Sequence, residues 1–350
     1  MGRRSRFWTI LASLLSSSVG LGGCEALSPL FAPTEPWLTP DEVVVIVNAA
    51  DPLSVQIGQY YQQQRRIPAR NVVTVNFDPQ RPELSPEEFA PIRAAIAAQV
   101  PAYIQAYALT WAAPYRVGCM SITSAFALGF DPAYCAQGCR LTKLNPYFNR
   151  SSSQPFQAFN LRPTMAIAAT SFDQAKALID RGIAADATNP TGTAYLLNTS
   201  DSARTVRSLL YPQVLQAISL RFNVEVLTSD TLQLRSDVMF YFTGLERVPN
   251  LEQNQFLPGA IADHLTSFGG MLTDSPQMSS LRWLEAGATG SYGTVVEPCN
   301  FPQKFPHPAV VMRHYLDGDT LIEAYWKSVA MPGQGIFIGE PLARPFGRFE

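Results

Sequence analysis

The sequence predicts an α/β protein of three layers, a mainly parallel sheet with helices on both faces, and three observations predict it. Apolar runs such as 42–47 (EVVVIV) and 237–242 (DVMFYF) show no polar alternation. That is the pattern of strands buried on both faces of a parallel sheet. These runs alternate with longer segments of helical periodicity, and strand, helix, strand within about 35 residues is a βαβ unit. Finally, 47% of residues are apolar and 15% charged, so the core can be large and the surface is less charged than the roughly one quarter of an average domain.

Along the chain, the first strand is 42–47, stopping at Asn48. Residues 51–64 then place Val55, Ile57, Tyr60 and Tyr61 at helical spacing, with Ser54 near the start. A second strand, 71–77 (NVVTVNF), completes the unit. Residues 86–105 read as helix and 106–111 as strand. The stretch 118–163 breaks the rhythm with Cys119, Cys135, Cys139 and the run Ser151, Ser152, Ser153. It reads as a long insertion held by cysteines, and its length points to a role in function or partner contact. Alternation returns with strand 164–169, helix 172–185, strand 193–198, helix 206–222, strands 224–228 and 237–242, and a helix over 258–268. No repeat at a fixed period is present.

Ahead of the domain, residues 1–23 carry a basic head (Arg3, Arg4, Arg6), an apolar run from Phe7 to Val19, and small residues before Cys24. That order is a secretory signal peptide, and its apolar run is shorter than the about 20 residues a bilayer span needs. Leu21-Gly22-Gly23-Cys24 resembles the lipobox of bacterial lipoproteins. The resemblance implies cleavage before Cys24, acylation of that residue, and a protein held outside the cytoplasm on the inner or outer membrane of the cell envelope. Residues 24–40, rich in proline, read as a tether, and 41–350 as the α/β domain. Losing three arginines takes the formal charge from −2 to −5. No Lys/Arg run remains, which argues against nucleic acid as a partner.

The four cysteines beyond Cys24 are Cys119, Cys135, Cys139 and Cys299. In an oxidising compartment they permit two disulfides, in any of three pairings. Cys135-x3-Cys139 without a paired Cys-x2-Cys is a poor zinc pattern. His307 and His314, with Asp317 and Asp319 nearby, lack metal-ligand spacing. Neither a metal nor a cofactor is expected. His264 reads as a partly exposed residue of the 258–268 helix.

Ligands of open parallel sheets bind beyond the carboxyl ends of the strands. Three segments read as such ends: Thr243-Gly244-Leu245-Glu246, Leu272-Thr273-Asp274-Ser275, and Gly290-Ser291-Tyr292-Gly293. They nominate Thr243, Gly244, Ser275 and Tyr292 as binding residues. Residues 297–308 (EPCNFPQKFPHP) gather Glu297, Cys299, Lys304 and His307 on a proline-stiffened loop, and function collects on loops held by a scaffold. With Asp274, the residues Glu297, Lys304 and His307 are the candidates for a catalytic cleft. A rigid surface loop, with Cys299 in a disulfide and Glu297 and Lys304 in ion pairs, is the structural alternative. The Gly287-x2-Gly290-x2-Gly293 spacing is better explained by close backbone packing than by phosphate binding, and no Gly-x-Ser-x-Gly elbow occurs.

From 237 to 350 the order of these segments resembles the C-terminal half of gingipain-type cysteine peptidases, of caspase-like fold. Phe240-Tyr241-Phe242-Thr243-Gly244 matches the strand that ends in the family's His-Gly, and Met271-Leu272-Thr273-Asp274 the strand that ends in its nucleophilic Cys. Residues 279–285, Gly287-Ala288-Thr289-Gly290-Ser291-Tyr292 and Gly339-Glu340-Pro341 match the helix, strand and closing turn. The whole chain also resembles an uncharacterised family of exported bacterial proteins sharing YYQQQRRIP, GATGSYGTVVEPC and KFPHP. Here Phe242 or Thr243 stands at the His position and Asp274 or Ser275 at the Cys position. A Cys–His dyad needs both groups within hydrogen-bond reach, so the resemblance implies the fold and not the peptidase activity. Two readings follow. One is a membrane-tethered binding protein for a peptide, glycan or envelope protein, without catalysis. The other is a hydrolase of peptide or glycan bonds rebuilt from Asp274, Glu297, Lys304 and His307. In either case Cys24→Ser is expected to abolish acylation and release the protein from the membrane pellet, read by fractionation and by mass spectrometry of the mature N-terminus; a domain that remains unacylated yet membrane-bound in the unaltered protein would contradict the lipid anchor.

Overall fold

The computed structural model describes residues 37–136 and 139–347; the expected signal peptide, Cys24 and most of the expected tether lie outside them. Among the described residues thirteen strands are formed: β1 (Val43–Asn48), β2 (Val72–Val75), β3 (Glu83–Leu84), β4 (Ala106–Leu109), β5 (Arg116–Val117), β6 (Met120–Ser121), β7 (Thr164–Ala166), β8 (Thr193–Asn198), β9 (Asn223–Thr228), β10 (Val238–Thr243), β11 (Phe256–His264), β12 (Gly290–Thr294) and β13 (Gly335–Gly339). β3, β5 and β6 make a small sheet, and the others make one 10-stranded sheet in the order β2-β1-β4-β7-β13-β12-β11-β10-β8-β9. The α/β class and the mainly parallel sheet expected from the sequence are therefore present.

Every neighbouring pair in the large sheet is parallel except β12 with β13. The sheet is thus two five-stranded parallel halves that run in opposite directions and meet at one antiparallel seam. The halves share a topology. In each, the chain lays a strand (β1 or β8), adds the next on the outer edge (β2 or β9), and then crosses inward (β4 and β7, or β10 and β11). This is an internal duplication of architecture that leaves no period in the sequence, because burial fixes only the apolar character of each position.

Local signals explain where helices start. Asp51 caps Pro52–Gln64 by accepting from the Leu53 amide, and Ser85 and Glu88 form a reciprocal capping box on Pro86–Gln99. Helix Pro86–Gln99 stops short of the expected residue 105 because Pro101 follows. Helices Pro52–Gln64, Phe172–Ala185 and Leu281–Glu285 pack on one another across one face, where Arg181 of the second donates to the Leu284 and Ala288 carbonyls. Helices Ile122–Leu128, Tyr211–Ile218, Pro308–Leu316 and Leu321–Ser328 cover the other, with Trp326 stacked 4.5 Å from Phe337 of β13.

Two expectations are corrected. The segment 258–268 is not a helix: Phe256–His264 is a central strand paired with β10 and β12. Residues 260–266 are all buried, so the polar–apolar alternation that marks a strand is absent and the alanines mimic helical spacing. The tether also ends earlier than residue 40. Leu38 is buried with its amide on Glu323, and Trp37 lies under the Arg344 guanidinium. Within 118–163, strand β6 and helix Ile122–Leu128 belong to the core, packing on β7 and β13.

The seam has no room for side chains at one point. A Cβ on Gly335 would lie 1.7 Å from the Tyr292 hydroxyl oxygen, and Tyr292 is itself fixed by donating to the Lys304 carbonyl at 2.6 Å. Gly335→Ala is expected to cost about 3 kcal/mol through overpacking, seen as a lower Tm and a lower denaturant midpoint at unchanged m; a variant as stable as the parent would show that the seam can open.

Candidate functional site

The second half of the sheet reverses its winding between β8 and β10, so its crevice lies beyond their carboxyl ends. There the chain leaves a cleft of about 280 Å³ lined by Arg204, Leu265, Thr266, Ser267, Glu297, Asn300 and both half-cystines of a disulfide. The equivalent crevice of the first half, between β1 and β4, is filled by the chain itself: the Ser54 and Thr110 hydroxyls lie 2.6 Å apart, and Asn48 donates to the Phe77 carbonyl at 3.0 Å.

Each wall of the cleft follows a strand. After β8, Thr199 donates to the Gly244 carbonyl at 2.7 Å, and Asp201 receives Arg204 at 2.7 Å. A Cβ on Gly244 would meet the Arg204 carbonyl oxygen at 1.9 Å, so glycine is what lets the two loops close together. After β11, the Thr266 hydroxyl accepts from Arg204 Nε at 3.2 Å and donates to Gln277 at 2.7 Å. At the end of β12, Thr294 donates to the carbonyls of Thr266 and Ser267 at 3.0 and 2.9 Å. The fourth wall is the Cys139–Cys299 disulfide, Cα atoms 5.4 Å apart. The second disulfide joins Cys119 and Cys135. These pairings select one of the three the sequence allows and suit an exported domain.

Beneath the cleft, two consecutive residues of β11 are buried polar groups on opposite faces. Asp263 pairs with Arg207, whose guanidinium also donates to the Thr243 carbonyl at 2.9 Å. Both side chains are sealed, and burial pushes the Asp263 carboxyl up to about 6 despite that partner. On the other face, His264 accepts from Trp283 Nε1 at Nδ1 (2.9 Å) and meets the Met278 carbonyl at Nε2 (3.2 Å). Those two contacts require the neutral Nε2–H tautomer. Burial, with Arg207 as a second cause, pushes its pKa down to about 3. His264 is therefore a buried strand residue, not a partly exposed helical one.

The candidates from the sequence are placed as follows. Asp274 accepts from the Tyr115 hydroxyl at 2.6 Å. It lies in a turn and not at a strand end, since the strand after β10 ends at His264. Glu297 lines the cleft and accepts from the Cys299 amide at 2.6 Å. Lys304 is buried and donates to the Pro298 carbonyl at 2.9 Å, and burial holds its pKa down at about 8. His307 stands before helix Pro308–Leu316 and reaches Gln213 at 3.1 Å. Among the described residues no hydrogen bond or ion pair joins Asp274, Glu297 and His307, so of the four only Glu297 belongs to the cleft. Of the binding candidates, Thr243 and Tyr292 are sealed in the interior and offer no side chain to a ligand. Gly244 shapes the loops, and Ser275 donates to the Phe268 carbonyl at 2.7 Å. Gly290 and Gly293 lie within β12 and not at its end.

His314 does pair with Asp319, Nδ1 to Oδ2 at 2.8 Å, while Asp317 takes Arg221 at 2.6 Å. Among the described residues no group of three or more His, Cys, Asp or Glu side chains is placed to hold a metal. Nor is any described helix long and apolar enough to cross a membrane. Thr266 and Ser267 escaped the sequence reading because the β11 segment was read as helix, and a strand end at 264 would have nominated both hydroxyls; Arg204 follows β8, whose carboxyl end was not among the three strand ends singled out. No family model, curated protein or solved structure matches the chain.

The buried imidazole makes a pH signature. Its unfolded value is near 6.5 and its folded value about 3, so the unfolded chain binds the extra proton in that window. This contribution to stability is whole above about pH 6.5 and is lost as pH falls towards 3. The unfolding free energy of the parent is expected to fall more steeply with acidification than that of His264→Phe by close to one proton, and the His264 ring resonances are expected not to titrate between about pH 5 and pH 8. A ring that titrates near 6.5 would contradict the buried tautomer.

Proposed function

We propose that the protein is a lipid-anchored, extracytoplasmic binding protein of the bacterial envelope, built on a caspase- or gingipain-like core without the peptidase dyad, and that it takes a peptide or glycan segment in the cleft beyond β8, β11 and β12. One observation carries the reading: the cleft presents groups suited to recognition, while the imidazoles that a serine, threonine or cysteine nucleophile would need are engaged elsewhere. Arg204, Ser267, Glu297 and Asn300 offer donors and acceptors of both charge signs, as amide or sugar hydroxyl recognition requires. Of the three histidines, His264 is held by Trp283 and Met278, His307 by Gln213, and His314 by Asp319. The cleft cysteines are joined as a disulfide and hold no thiolate. The two disulfides suit an oxidising compartment, and the lipobox resemblance supplies the anchor.

The test is binding to peptide and glycan arrays, alongside turnover assays on the same libraries. Ser267→Trp fills the cleft and is expected to weaken binding by at least about tenfold, which is about 1.4 kcal/mol, with Tm little changed; Arg204→Ala is expected to weaken it as well. Hydrolytic turnover by the parent protein, or binding that both substitutions leave intact, would overturn the reading.

A further inference from the structure

A second cavity, of about 320 Å³, opens at the amino ends of β4 and β7, between helices Pro86–Gln99, Ile122–Leu128 and Pro155–Phe159. Its charged lining residues are two arginines, Arg93 and Arg162, and no carboxylate lines it. Neither guanidinium forms an ion pair among the described residues. Arg93 has its Nε buried with no hydrogen-bond partner, and its head lies against Gly129, where a Cβ would come within 3.3 Å of Cζ. Arg162 is only 9% exposed. Its Nε donates to the Ile104 carbonyl at 2.9 Å and one Nη to the Pro101 carbonyl at 3.3 Å, with the Tyr107 hydroxyl as its side-chain neighbour.

Two features show that this cationic pair is held in place. The Arg162 guanidinium stacks 3.4 Å above the Phe156 ring and lies 5.5 Å from that of Tyr107, which fixes the plane of its donor fork. The rest of the wall is mostly apolar, including Ile96 and Phe126, with Asn160 as a neutral polar member. Burial lowers the Arg162 pKa, Tyr107 opposes that shift, and the Arg93 charge adds a smaller lowering. A buried guanidinium beside a second cation, with no counter-charge, is costly, and a carboxylate or phosphate accepting from both forks would relieve that cost.

From this cavity we infer that the protein binds a small organic oxyanion, a carboxylate or phosphate monoester on a flat apolar body, with Arg93 and Arg162 on the anionic head and Phe156, Tyr107 and Phe126 around the body. The volume lies at the small end of ligand sites, which run from about 300 to about 1,000 Å³, and so fits a single ring and its head. The inference stands apart from the cleft proposed above, since it uses none of the same residues.

Calorimetric titration of the full-length protein with benzoate, phenyl phosphate, inorganic phosphate and benzyl alcohol tests it. Benzoate or phenyl phosphate is expected to bind, at least about tenfold more tightly than benzyl alcohol, with affinity falling as salt rises. The stronger of the two names the head group. Arg162→Gln is expected to lose at least about tenfold in affinity. Because Arg162 also ties down two carbonyls, Arg93→Gln, at a half-exposed position with no polar partner to lose, is the second variant and is expected to lose as much. Failure of both aromatic anions to bind at about 10 mM, inorganic phosphate binding as tightly as phenyl phosphate, or affinity unchanged in Arg93→Gln would each overturn the inference.

Discussion

The antiparallel pairing of β12 with β13 sets the rest of the structure. Its register runs from Gly290 opposite Gly339 to Thr294 opposite Gly335, and it joins two parallel halves that would otherwise be separate sheets. Since β13 runs with the first half and against the second, the carboxyl ends of the two halves lie on opposite edges. One edge of the sheet therefore combines the strand ends of one half with the strand beginnings of the other. Close approach at the seam is possible because glycine faces Tyr292, whose hydroxyl is in turn locked to the Lys304 carbonyl. The aromatic rings of Phe337, Tyr292, Tyr325 and Trp326 then pack around it at centroid distances of 4.5 to 6.3 Å.

That arrangement gives the two cavities a common edge and different chemistries. The cleft beyond β8, β11 and β12 lies over the buried Arg207–Asp263 pair and the His264–Trp283 contact. Each of these polar groups meets its partner on its own face of β11, because alternate strand residues point to opposite faces. Breaking such a buried pair by removing one partner costs about 3–5 kcal/mol; these groups hold the floor of the cleft more than they offer chemistry to it. The cavity at the amino ends of β4 and β7 is the reverse case. Its guanidinium groups have carbonyl and aromatic supports but no opposing carboxylate, so its unmet potential points outward to a ligand.

Much of the fold was legible in the sequence. β1, β8 and β10 were marked by continuous apolar runs, and helix Phe172–Ala185 by a clean amphipathic repeat. β11 was misread because its buried part, containing Ala260, Ala262, Asp263 and His264, has neither alternation nor β-branched enrichment. That single error displaced the candidate site. With the strand end put near Asp274, attention fell on a residue that accepts from Tyr115, and Thr266 and Ser267 went unnoticed. β13 was not read as a strand at all, although its antiparallel pairing is what closes the sheet.

By itself, the sequence determined the α/β class, the order of most elements, and the even number of domain cysteines. These properties are local: periodicity, caps and short motifs are read from neighbouring residues. Only the tertiary structure decided the direction of β13, the pairing Cys119–Cys135 and Cys139–Cys299, and which polar side chains face a cavity and which are sealed with a partner. Those properties depend on contacts between distant residues, as where Arg207 meets Asp263 or Arg162 meets the Ile104 carbonyl. Residue type alone does not say whether a buried guanidinium has found a carboxylate or is left to wait for one.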